Sequence, residues 1–447
     1  MEPYGIALGG GGTRGSYELG VWRYLLNHNI PYDTLVGTSI GSINAAYMAQ
    51  GDYLAAREAW FTMGLHTLLE MSEEELAQQN QKHPFFRGMF KDIPALAQAA
   101  KEKGGLSLEP LRDMLQNTLS EEAVRASGVR LGIVTVNLST FKPVVAWLDD
   151  IPEGQLFDYI LASCSLPIFK PTQIGDDSFI DGAFHDNVPV KPLIDRGHQR
   201  IIAVDLSGFA PLKSVRDATV PVVHIKNSED LGPILSFDRS TVRRNMRMGY
   251  LDAARAFGDC LGRTYYIRPE PETPLLKPFS AEEVSFLIEA LNRTPLIRWD
   301  GRWALRKLRK DLEQKTTGAS VEKYGKSGAL IVAALEITAR QLEVERLEFY
   351  TPDKLIRSVL AKYRTLLSNH PLGDKPELLD VLWERLRSKK DEDRPTLRNM
   401  LPELVERAGE NDRSLLFHFM AITLPRTCIT VFFLLLMKQR VDRQDDY

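Results

Sequence analysis

The chain has few cysteines and a small net charge, and we expect no leader segment. Its three cysteines, Cys164, Cys260 and Cys428, are too widely spaced to indicate a metal cluster or a disulfide framework. A formal net charge of −3 over 447 residues gives no reason to expect a nucleic-acid partner. An apolar strand pattern begins at Tyr4, which leaves no space for a signal peptide. We therefore expect a cytoplasmic protein, of two domains by its length, that needs no metal or other cofactor.

A Gly-x-Ser-x-Gly pentapeptide centred on Ser39 is the first candidate functional feature. An apolar stretch at 32–36 precedes it, and an apolar helical pattern at 40–48 follows it. This strand–turn–helix order is typical of a turn that holds a serine hydroxyl exposed as a nucleophile. Glycine is required around such a crowded turn because it has no Cβ, which explains Gly37 and Gly41. Ser39 is therefore our candidate nucleophile.

A run of glycines, Gly9 to Gly12, lies between a short apolar strand and a helical segment. The spacing Gly10-x-Gly12-x-x-Gly15 matches the dinucleotide-binding fingerprint, so a nicotinamide or flavin site is one interpretation. That site needs a carboxylate at the far end of the second strand, whereas Asp33 lies before this strand, which disfavours it. In the alternative, an oxyanion hole, the amides of Gly10, Gly11 and Gly12 face a developing negative charge.

The third candidate feature is an apolar strand that ends in Asp181-Gly182-Ala183. An Asp-Gly pair is by itself usually only a turn. Here it lies downstream of a candidate nucleophile that still lacks a base. A carboxylate within hydrogen-bond reach of a serine can accept the serine proton, so Asp181 is our candidate base, with Gly182 and Ala183 forming its turn.

The order glycine run, serine turn and Asp-Gly-Ala resembles the patatin-like phospholipases. That family carries Gly-Gly-Gly-x-Arg-Gly, matched here at 10–15 and including Arg14 and Gly15. It also carries Gly-x-Ser-x-Gly, matched around Ser39, and Asp-Gly-Ala/Gly, matched at Asp181. Further similar segments are 131–138, 162–167 and 186–190, and the resemblance extends over roughly residues 4–270.

This resemblance implies an α/β fold of three layers with a mostly parallel central sheet. It also implies hydrolysis of lipid esters by a Ser39–Asp181 dyad, with the glycine run as the oxyanion hole. Three interpretations of Arg14 stay open. It could orient the glycine turn, contact a phosphate group, or be an ordinary surface arginine.

A Ser–His–Asp triad is the alternative to the dyad. Two of the eight histidines, His185 and His224, are placed where either could act as the base. In an ordinary α/β-hydrolase several strands precede the nucleophile turn, whereas Ser39 follows only the second predicted strand. This mismatch favours the dyad.

Strand and helix patterns alternate to about residue 270, as expected of an α/β sheet. The predicted strands are 6–9, 34–38, 129–138, 143–147, 178–181, 200–206, 220–226 and 263–267. A polar segment at 71–84 is predicted to be part of a helical insertion over the site. The Pro-rich stretch 269–274 predicts a boundary between a catalytic domain, 1–270, and an all-helical C-terminal domain, 275–447.

Two features of the C-terminal region bear on membranes. Basic residues surround Trp299 and Trp303. These are Arg298, Arg302, Arg306, Lys307, Arg309 and Lys310. This cluster is either a patch that contacts the membrane interface or an ordinary solvated helix face. The mostly apolar run at 428–437 is too short to span a bilayer, and we predict a buried helix there, with interfacial anchoring or spanning as alternatives.

The sequence thus predicts a serine acyl-hydrolase whose partner is a lipid ester, with peripheral contact at the inner face of the membrane as an option. Two other classes of protein are the alternatives. One is a regulatory or scaffold protein with minor esterase activity, and the other is a nucleotide-binding oxidoreductase.

Overall fold

The chain is described by a computed structural model as two compact units, Met1–Phe257 and Gly258–Tyr447. The residues that the structure describes are 2–64, 105, 107–166, 169–206, 218–234, 238–270, 280, 282–283, 301–369, 398–409, 420–421 and 423–445. The predicted insertion at 71–84 and most of the predicted boundary segment lie outside these residues. Both therefore stay predictions.

The first unit contains a sheet of eight strands. In chain order they are β1 (Tyr4–Leu8), β2 (Tyr32–Thr38), β3 (Arg130–Asn137), β4 (Lys142–Trp147), β5 (Thr172–Ile174), β6 (Asp177–Asp181), β7 (Ile201–Asp205) and β8 (Val222–Lys226). Across the sheet the order is β5-β6-β3-β2-β1-β7-β8, and β4 also pairs with β3. The pairs among β1, β2, β3, β7 and β8 are parallel, whereas β4, β5 and β6 pair antiparallel. The prediction of a mostly parallel α/β sheet is confirmed.

Helices cover both faces of this sheet. They are α1 (Ser16–Asn27), α2 (Ile40–Gln50), α3 (Tyr53–Thr62), α4 (Glu109–Thr118), α5 (Glu121–Ala126), α6 (Leu156–Ser163), α7 (Lys191–Asp195) and α8 (Arg239–Ala256). Short 3₁₀ helices occupy Gly12–Gly15, Leu148–Asp150 and Gly182–Phe184. Successive strand residues point to opposite faces, and Ile6, Ala7 and Leu8 are all buried, so the sheet is the middle of three layers.

Strand β5 of this sheet is not among the strands predicted from the sequence. Strand β5 has only three residues and pairs antiparallel with β6 through a hairpin turn at Gly175. So short a segment is not long enough to display an alternating apolar pattern. The other strands of the first unit begin and end within two or three residues of their predicted bounds.

The second unit is mainly helical in its described residues. Its helices are α9 (Gly301–Glu313), α10 (Gly318–Gln341, kinked at Gly325), α11 (Pro352–Asn369), α12 (Leu401–Gly409) and α13 (Pro425–Asp445). Two short strands, β9 (Tyr266–Ile267) and β10 (Phe349–Tyr350), form a parallel pair, so the expectation of an all-helical region is not met. The predicted strand at 263–267 is reduced to its last two residues.

The apolar run at 428–437 is buried within the second unit. Its residues in α13 are 7% exposed or less, and they belong to a core shared with α10, α11 and α12. The prediction of a buried helix is therefore confirmed. Among the described helices, none combines the length and the hydropathy that crossing a bilayer requires.

Helices α1 and α8 cross at very close range because each presents a glycine to the other. A Cβ at Gly20 would lie 1.9 Å from the carbonyl oxygen of Met246. A Cβ at Gly249 would lie 2.0 Å from the carbonyl oxygen of Tyr17. Both obstacles are main-chain atoms, which cannot move aside as a flexible side chain can.

We predict that Gly20→Ala destabilises the protein by about 1–3 kcal/mol, because the methyl group forces the two helices apart. Gly318→Ala is the matched control, since nothing lies within 4 Å of the added methyl group and its φ is not positive. Thermal unfolding of the two variants measures the difference. Equal Tm values for Gly20→Ala and the parent would contradict this packing.

Candidate active site

Ser39 is the single residue between β2 and α2, and its backbone is strained. Its φ of 54° and ψ of −128° are unfavourable for a residue with a side chain. The turn is also crowded, because a Cβ at Gly37 would lie 2.3 Å from the Gly41 carbonyl oxygen. A Cβ at Gly41 would in turn lie 2.5 Å from the Leu8 carbonyl oxygen. Both glycines of the pentapeptide are therefore required on steric grounds.

Strand β3 brings the Ser39 turn to Asp181. Strand β4 pairs with β3 along 132–137 and so occupies most of one edge. Strands β2 and β6 must share the other edge, where β2 ends with Thr38 opposite Val134 and β6 ends with Asp181 opposite Thr135. The two strands meet end to end at consecutive positions of β3. Ser39, which directly follows Thr38, is thereby adjacent to Asp181.

Asp181 is fully buried and only partly satisfied. Its Oδ1 accepts a hydrogen bond of 2.8 Å from the Ala183 amide, while its Oδ2 has no hydrogen-bond partner in the described part of the chain. Burial raises the pKa of Asp181 to about 6, against the lowering effects of the Ala183 amide and the Ser39 hydroxyl. The Ser39 hydroxyl thus lies near the carboxylate, in a contact that does not have the geometry of a full hydrogen bond. A Cβ at Gly182 would lie 2.3 Å from the Val134 carbonyl oxygen.

The glycine segment lies beside Ser39. A Cβ at Gly10 would lie 3.2 Å from the Ser39 Cβ. The Gly10 amide donates to the Asn187 carbonyl at 3.1 Å, so it is not available to a ligand. The amides of Gly11 and Gly12 have no acceptor among the described residues. The predicted oxyanion donors are therefore narrowed from three glycines to Gly11 and Gly12.

Residues 232–234 hold the glycine segment in place. Arg14 Nε donates to the Gly232 carbonyl at 2.8 Å. The Thr13 amide donates to the Ile234 carbonyl at 2.7 Å, and a Cβ at Gly15 would lie 2.6 Å from the Ile40 side chain. Of the interpretations offered for Arg14, this geometry favours orientation of the glycine turn.

A buried polar chain that sequence analysis missed connects the glycine segment with α2. Asn44 Nδ2 donates to the Gly15 carbonyl at 3.0 Å and to Glu18 Oε2 at 2.7 Å. Trp60 Nε1 donates to Asn44 Oδ1 at 2.9 Å. Burial raises the pKa of Glu18 to about 8, so this carboxyl group is mostly neutral at pH 7. In the sequence these residues look like ordinary polar positions on helices.

Cys164 lies close to Asp181 without being a competing nucleophile. Burial, and then the negative charge of Asp181, raise the pKa of this thiol far above its ordinary value. A thiol needs to be deprotonated in order to react, so Cys164 stays inert near neutral pH. All three cysteines are buried, and none forms a disulfide.

The two candidate histidines lie elsewhere. His224 Nε2 is 3.3 Å from Oδ2 of the buried Asp205, across β7 and β8. His185 is exposed. In the described residues no contact joins either histidine to Ser39 or Asp181, and no cluster of three or more potential ligands could hold a metal. The geometry disfavours a triad.

Asp33 does not lie where a dinucleotide site requires its carboxylate, which is at the far end of β2. It lies near the start of β2, where its Oδ2 pairs with Arg130 Nη2 at 3.2 Å. The glycine segment follows the carboxyl end of β1, whereas Asp33 lies at the amino end of the parallel strand β2, so the two are at opposite ends of the sheet. A ribose bound beside the glycine segment would be out of reach of Asp33, which disfavours the oxidoreductase alternative.

A serine on a strained strand-to-helix turn, beside a buried carboxylate and free backbone amides, is an arrangement typical of serine hydrolases. Residues 6–194 match the family model "Patatin-like phospholipase". That segment, less than half of the chain, is therefore similar to the patatin-like phospholipases.

Several curated relatives are similar to the same part of the chain. Lysophospholipase NTE1 of Eremothecium gossypii is 26% identical over 214 residues, which are 46% of this chain and 12% of that protein. Lysophospholipase NTE1 of Saccharomyces cerevisiae is 26% identical over 217 residues, 46% of this chain and 11% of that protein. The chain therefore spans only a small part of the length of these relatives.

Two solved structures are weakly similar. VipD from Legionella pneumophila has a TM-score of 0.38 and 11% identity, with 98% of this chain and 91% of that chain covered. The type III effector ExoU has a TM-score of 0.33 and 14% identity, with 90% of this chain and 74% of that chain covered.

The raised pKa of Asp181 predicts a pH-dependent gain in stability for Asp181→Asn. The folded-state pKa of about 6 lies above the ordinary value of 3.8, so the parent loses stability as pH rises between these values. Asparagine carries no charge. The stability of the variant relative to the parent should therefore rise by about 2.5 kcal/mol between pH 4 and pH 8.

Urea unfolding of both proteins over this pH range measures the effect. Asp195→Asn is the control, because the Asp195 carboxylate is exposed and pairs with Lys191. A difference between Asp181→Asn and the parent that does not change with pH would contradict the buried, charged state of Asp181.

Proposed function

We propose that this protein is a serine acyl-hydrolase that cleaves ester bonds of phospholipids or related lipids, with Ser39 as nucleophile and Asp181 as base. The observation that carries the proposal is the meeting of β2 and β6 on one edge of β3, which places the Ser39 turn against Asp181. The match of residues 6–194 to the patatin-like phospholipase family model supports a lipid ester as the substrate class. The NTE1 relatives bear the name lysophospholipase, which agrees with it.

The first half of the reaction forms an acyl-enzyme. Ser39 Oγ attacks the ester carbonyl carbon while its proton passes to Asp181 Oδ2, the carboxylate oxygen without a hydrogen-bond partner among the described residues. The carbonyl oxygen becomes an oxyanion, which the Gly11 and Gly12 amides stabilise together with the positive end of α2. The tetrahedral intermediate then expels the alcohol, which takes the proton from Asp181, and the acyl group remains on Ser39.

The second half returns the enzyme to its starting state. Asp181 accepts a proton from water, whose oxygen attacks the acyl carbon in the same oxyanion hole. The second intermediate then collapses: Ser39 Oγ leaves and takes the proton back from Asp181, and the fatty acid is released. A base with a pKa of about 6 is ionised at neutral pH and is stronger than an ordinary aspartate, which suits it to both proton transfers.

Ser39→Ala should abolish ester hydrolysis and covalent labelling by a fluorophosphonate probe, because it removes the attacking oxygen. Asp181→Asn should lower kcat by several orders of magnitude, since an amide cannot accept the proton. For the parent, kcat/KM should fall as pH drops below about 6, where Asp181 becomes protonated. Hydrolysis of a short-chain nitrophenyl ester and of a phospholipid measures all three effects.

His185→Ala and His224→Ala are the controls, and each should keep most of the activity. Loss of activity in either variant to the level of Asp181→Asn would replace the dyad by a triad. Retained hydrolysis in Ser39→Ala would remove Ser39 from its role. An absorbance of bound nicotinamide or flavin would instead support the oxidoreductase alternative.

We also propose that the basic face of α9 contacts an anionic membrane surface. Arg306, Arg309 and Lys310 are exposed, whereas Leu308 between them is buried. Arg309 additionally pairs with Glu313 at 2.9 Å, which reduces the positive charge of this face. Such a contact would bring the enzyme to lipid substrates without any spanning segment.

Replacing Arg306, Arg309 and Lys310 together by glutamine should weaken binding to anionic vesicles, by about 1 kcal/mol for each charge near the surface. The loss should shrink at high salt, and hydrolysis of a short-chain ester should be unchanged. The control removes the same charge from exposed positions of the first unit, by glutamine at Lys142, Lys191 and Arg239. Equal losses in both triple variants would show that only net charge matters.

A further inference from the structure

Ser163, at the end of α6, is a fully buried serine whose hydroxyl contacts the main chain of the proposed nucleophile. Its Oγ accepts a hydrogen bond of 2.8 Å from the Ser39 amide. The same hydroxyl donates to the Val134 carbonyl at 2.6 Å. Its only proton is therefore used towards β3, which leaves an oxygen lone pair directed at Ser39.

The Ser39 amide needs this acceptor because of its unusual conformation. Ser39 has a φ of 54° and lies between β2 and α2, so its amide donates neither within the sheet nor within the helix. Its carbonyl is held from the other side, by the Ser42 amide at 2.8 Å and the Ser42 hydroxyl at 2.6 Å. A buried amide without an acceptor is unfavourable, so without the Ser163 hydroxyl the Ser39 peptide would rotate towards another partner. Such a rotation moves the Ser39 side chain.

The segment that carries Ser163 also holds the proposed base. The Asp181 amide donates to the Ser165 carbonyl at 2.9 Å. Cys164, the residue between Ser163 and Ser165, lies beside the Asp181 carboxylate. Ser39 and Asp181 are therefore both hydrogen-bonded to one short stretch, 163–165, which begins with the last residue of α6.

We propose that Ser163 is a positioning residue: its hydroxyl fixes the Ser39 main chain so that the nucleophile faces Asp181. This inference rests on the proposed function and adds to it the group that sets the geometry of the dyad. Ser163 touches no reacting atom and takes part in no proton transfer. It acts by holding the strained Ser39 turn at the junction of β2, β3 and β6.

The test compares Ser163→Ala with the parent on a short-chain nitrophenyl ester. Loss of the acceptor should lower kcat about 10- to 100-fold, the range that a displacement of about 1 Å produces, while KM changes by less than about twofold. The rate of fluorophosphonate labelling at Ser39 should fall in proportion. The acid limb of the kcat/KM profile should move to higher pH, because the Ser39 hydroxyl lowers the pKa of Asp181 and is now displaced.

Two further variants keep the result interpretable. Ser163→Cys has nearly the same shape and a weaker hydrogen-bonding group, so its kcat and acid limb should lie between those of the parent and Ser163→Ala. This variant decides the question if Ser163→Ala does not fold. Ser320→Ala is the matched control in the second unit, since Ser320 is as buried and its hydroxyl donates to the Leu261 carbonyl at the same 2.6 Å. It should leave kcat unchanged.

Several results would overturn the inference. A folded Ser163→Ala or Ser163→Cys with parental kcat and labelling rate would do so, and so would a fall in kcat with an unmoved acid limb. A parent that is labelled at Ser39 while Ser163→Ala behaves normally would leave the proposed function intact. A parent that is not labelled at Ser39 would overturn both.

Discussion

A β-strand has only two hydrogen-bonding edges, and the candidate site depends on how β3 uses them. Because β4 occupies one edge along 132–137, β2 and β6 have to share the other, and the last residues of both strands meet at adjacent positions of β3. The turns that leave these two strands are therefore forced together. This crowding explains Gly182, since a Cβ there would meet the Val134 carbonyl of β3, whereas Gly37 is required by its own tight turn, where a Cβ would meet the Gly41 carbonyl. The position of Ser39 beside Asp181 is thus a consequence of sheet pairing.

Burial of Asp181 makes it a better base and also destabilises the folded protein. A carboxylate without full hydrogen bonding is disfavoured in a low-dielectric interior, so its pKa rises towards neutrality. Two surrounding groups reduce this unfavourable free energy. The Ala183 amide donates a hydrogen bond to the charged carboxylate, and the neighbouring Cys164 thiol stays neutral and so adds no second negative charge. The same burial excludes solvent from the proposed proton transfer. A fully hydrogen-bonded, exposed aspartate at this position would destabilise the folded protein less, but it would be a weaker base.

The second unit shows how tertiary packing decides between interpretations of one apolar segment. The run at 428–437 is compatible from its sequence with a buried helix, an interfacial anchor or part of a membrane span. In the structure its residues are covered by α10, α11 and α12, and nearby the Arg440 guanidinium pairs with Glu283 at 2.7 Å. A helix that is apolar on all sides needs neighbours on all sides, and here the described neighbours are protein. The run therefore has no free apolar face for a bilayer, which leaves the basic face of α9 as the proposed membrane contact.

The sequence alone determined the local features of this protein: the alternation of strands and helices, the serine turn, the glycine segment and the Asp-Gly-Ala turn. These depend on neighbouring residues, because apolar periodicity and the need for glycine act over a few positions. Tertiary structure decided everything that joins distant residues. It engages the Gly10 amide with Asn187, which removes one predicted oxyanion donor, and it pairs His224 with Asp205, away from Ser39. It also brings Ser163 to the Ser39 amide across 124 positions. No sequence pattern marks such contacts, since the register of β3 with β2 and β6 and the packing of α6 create them.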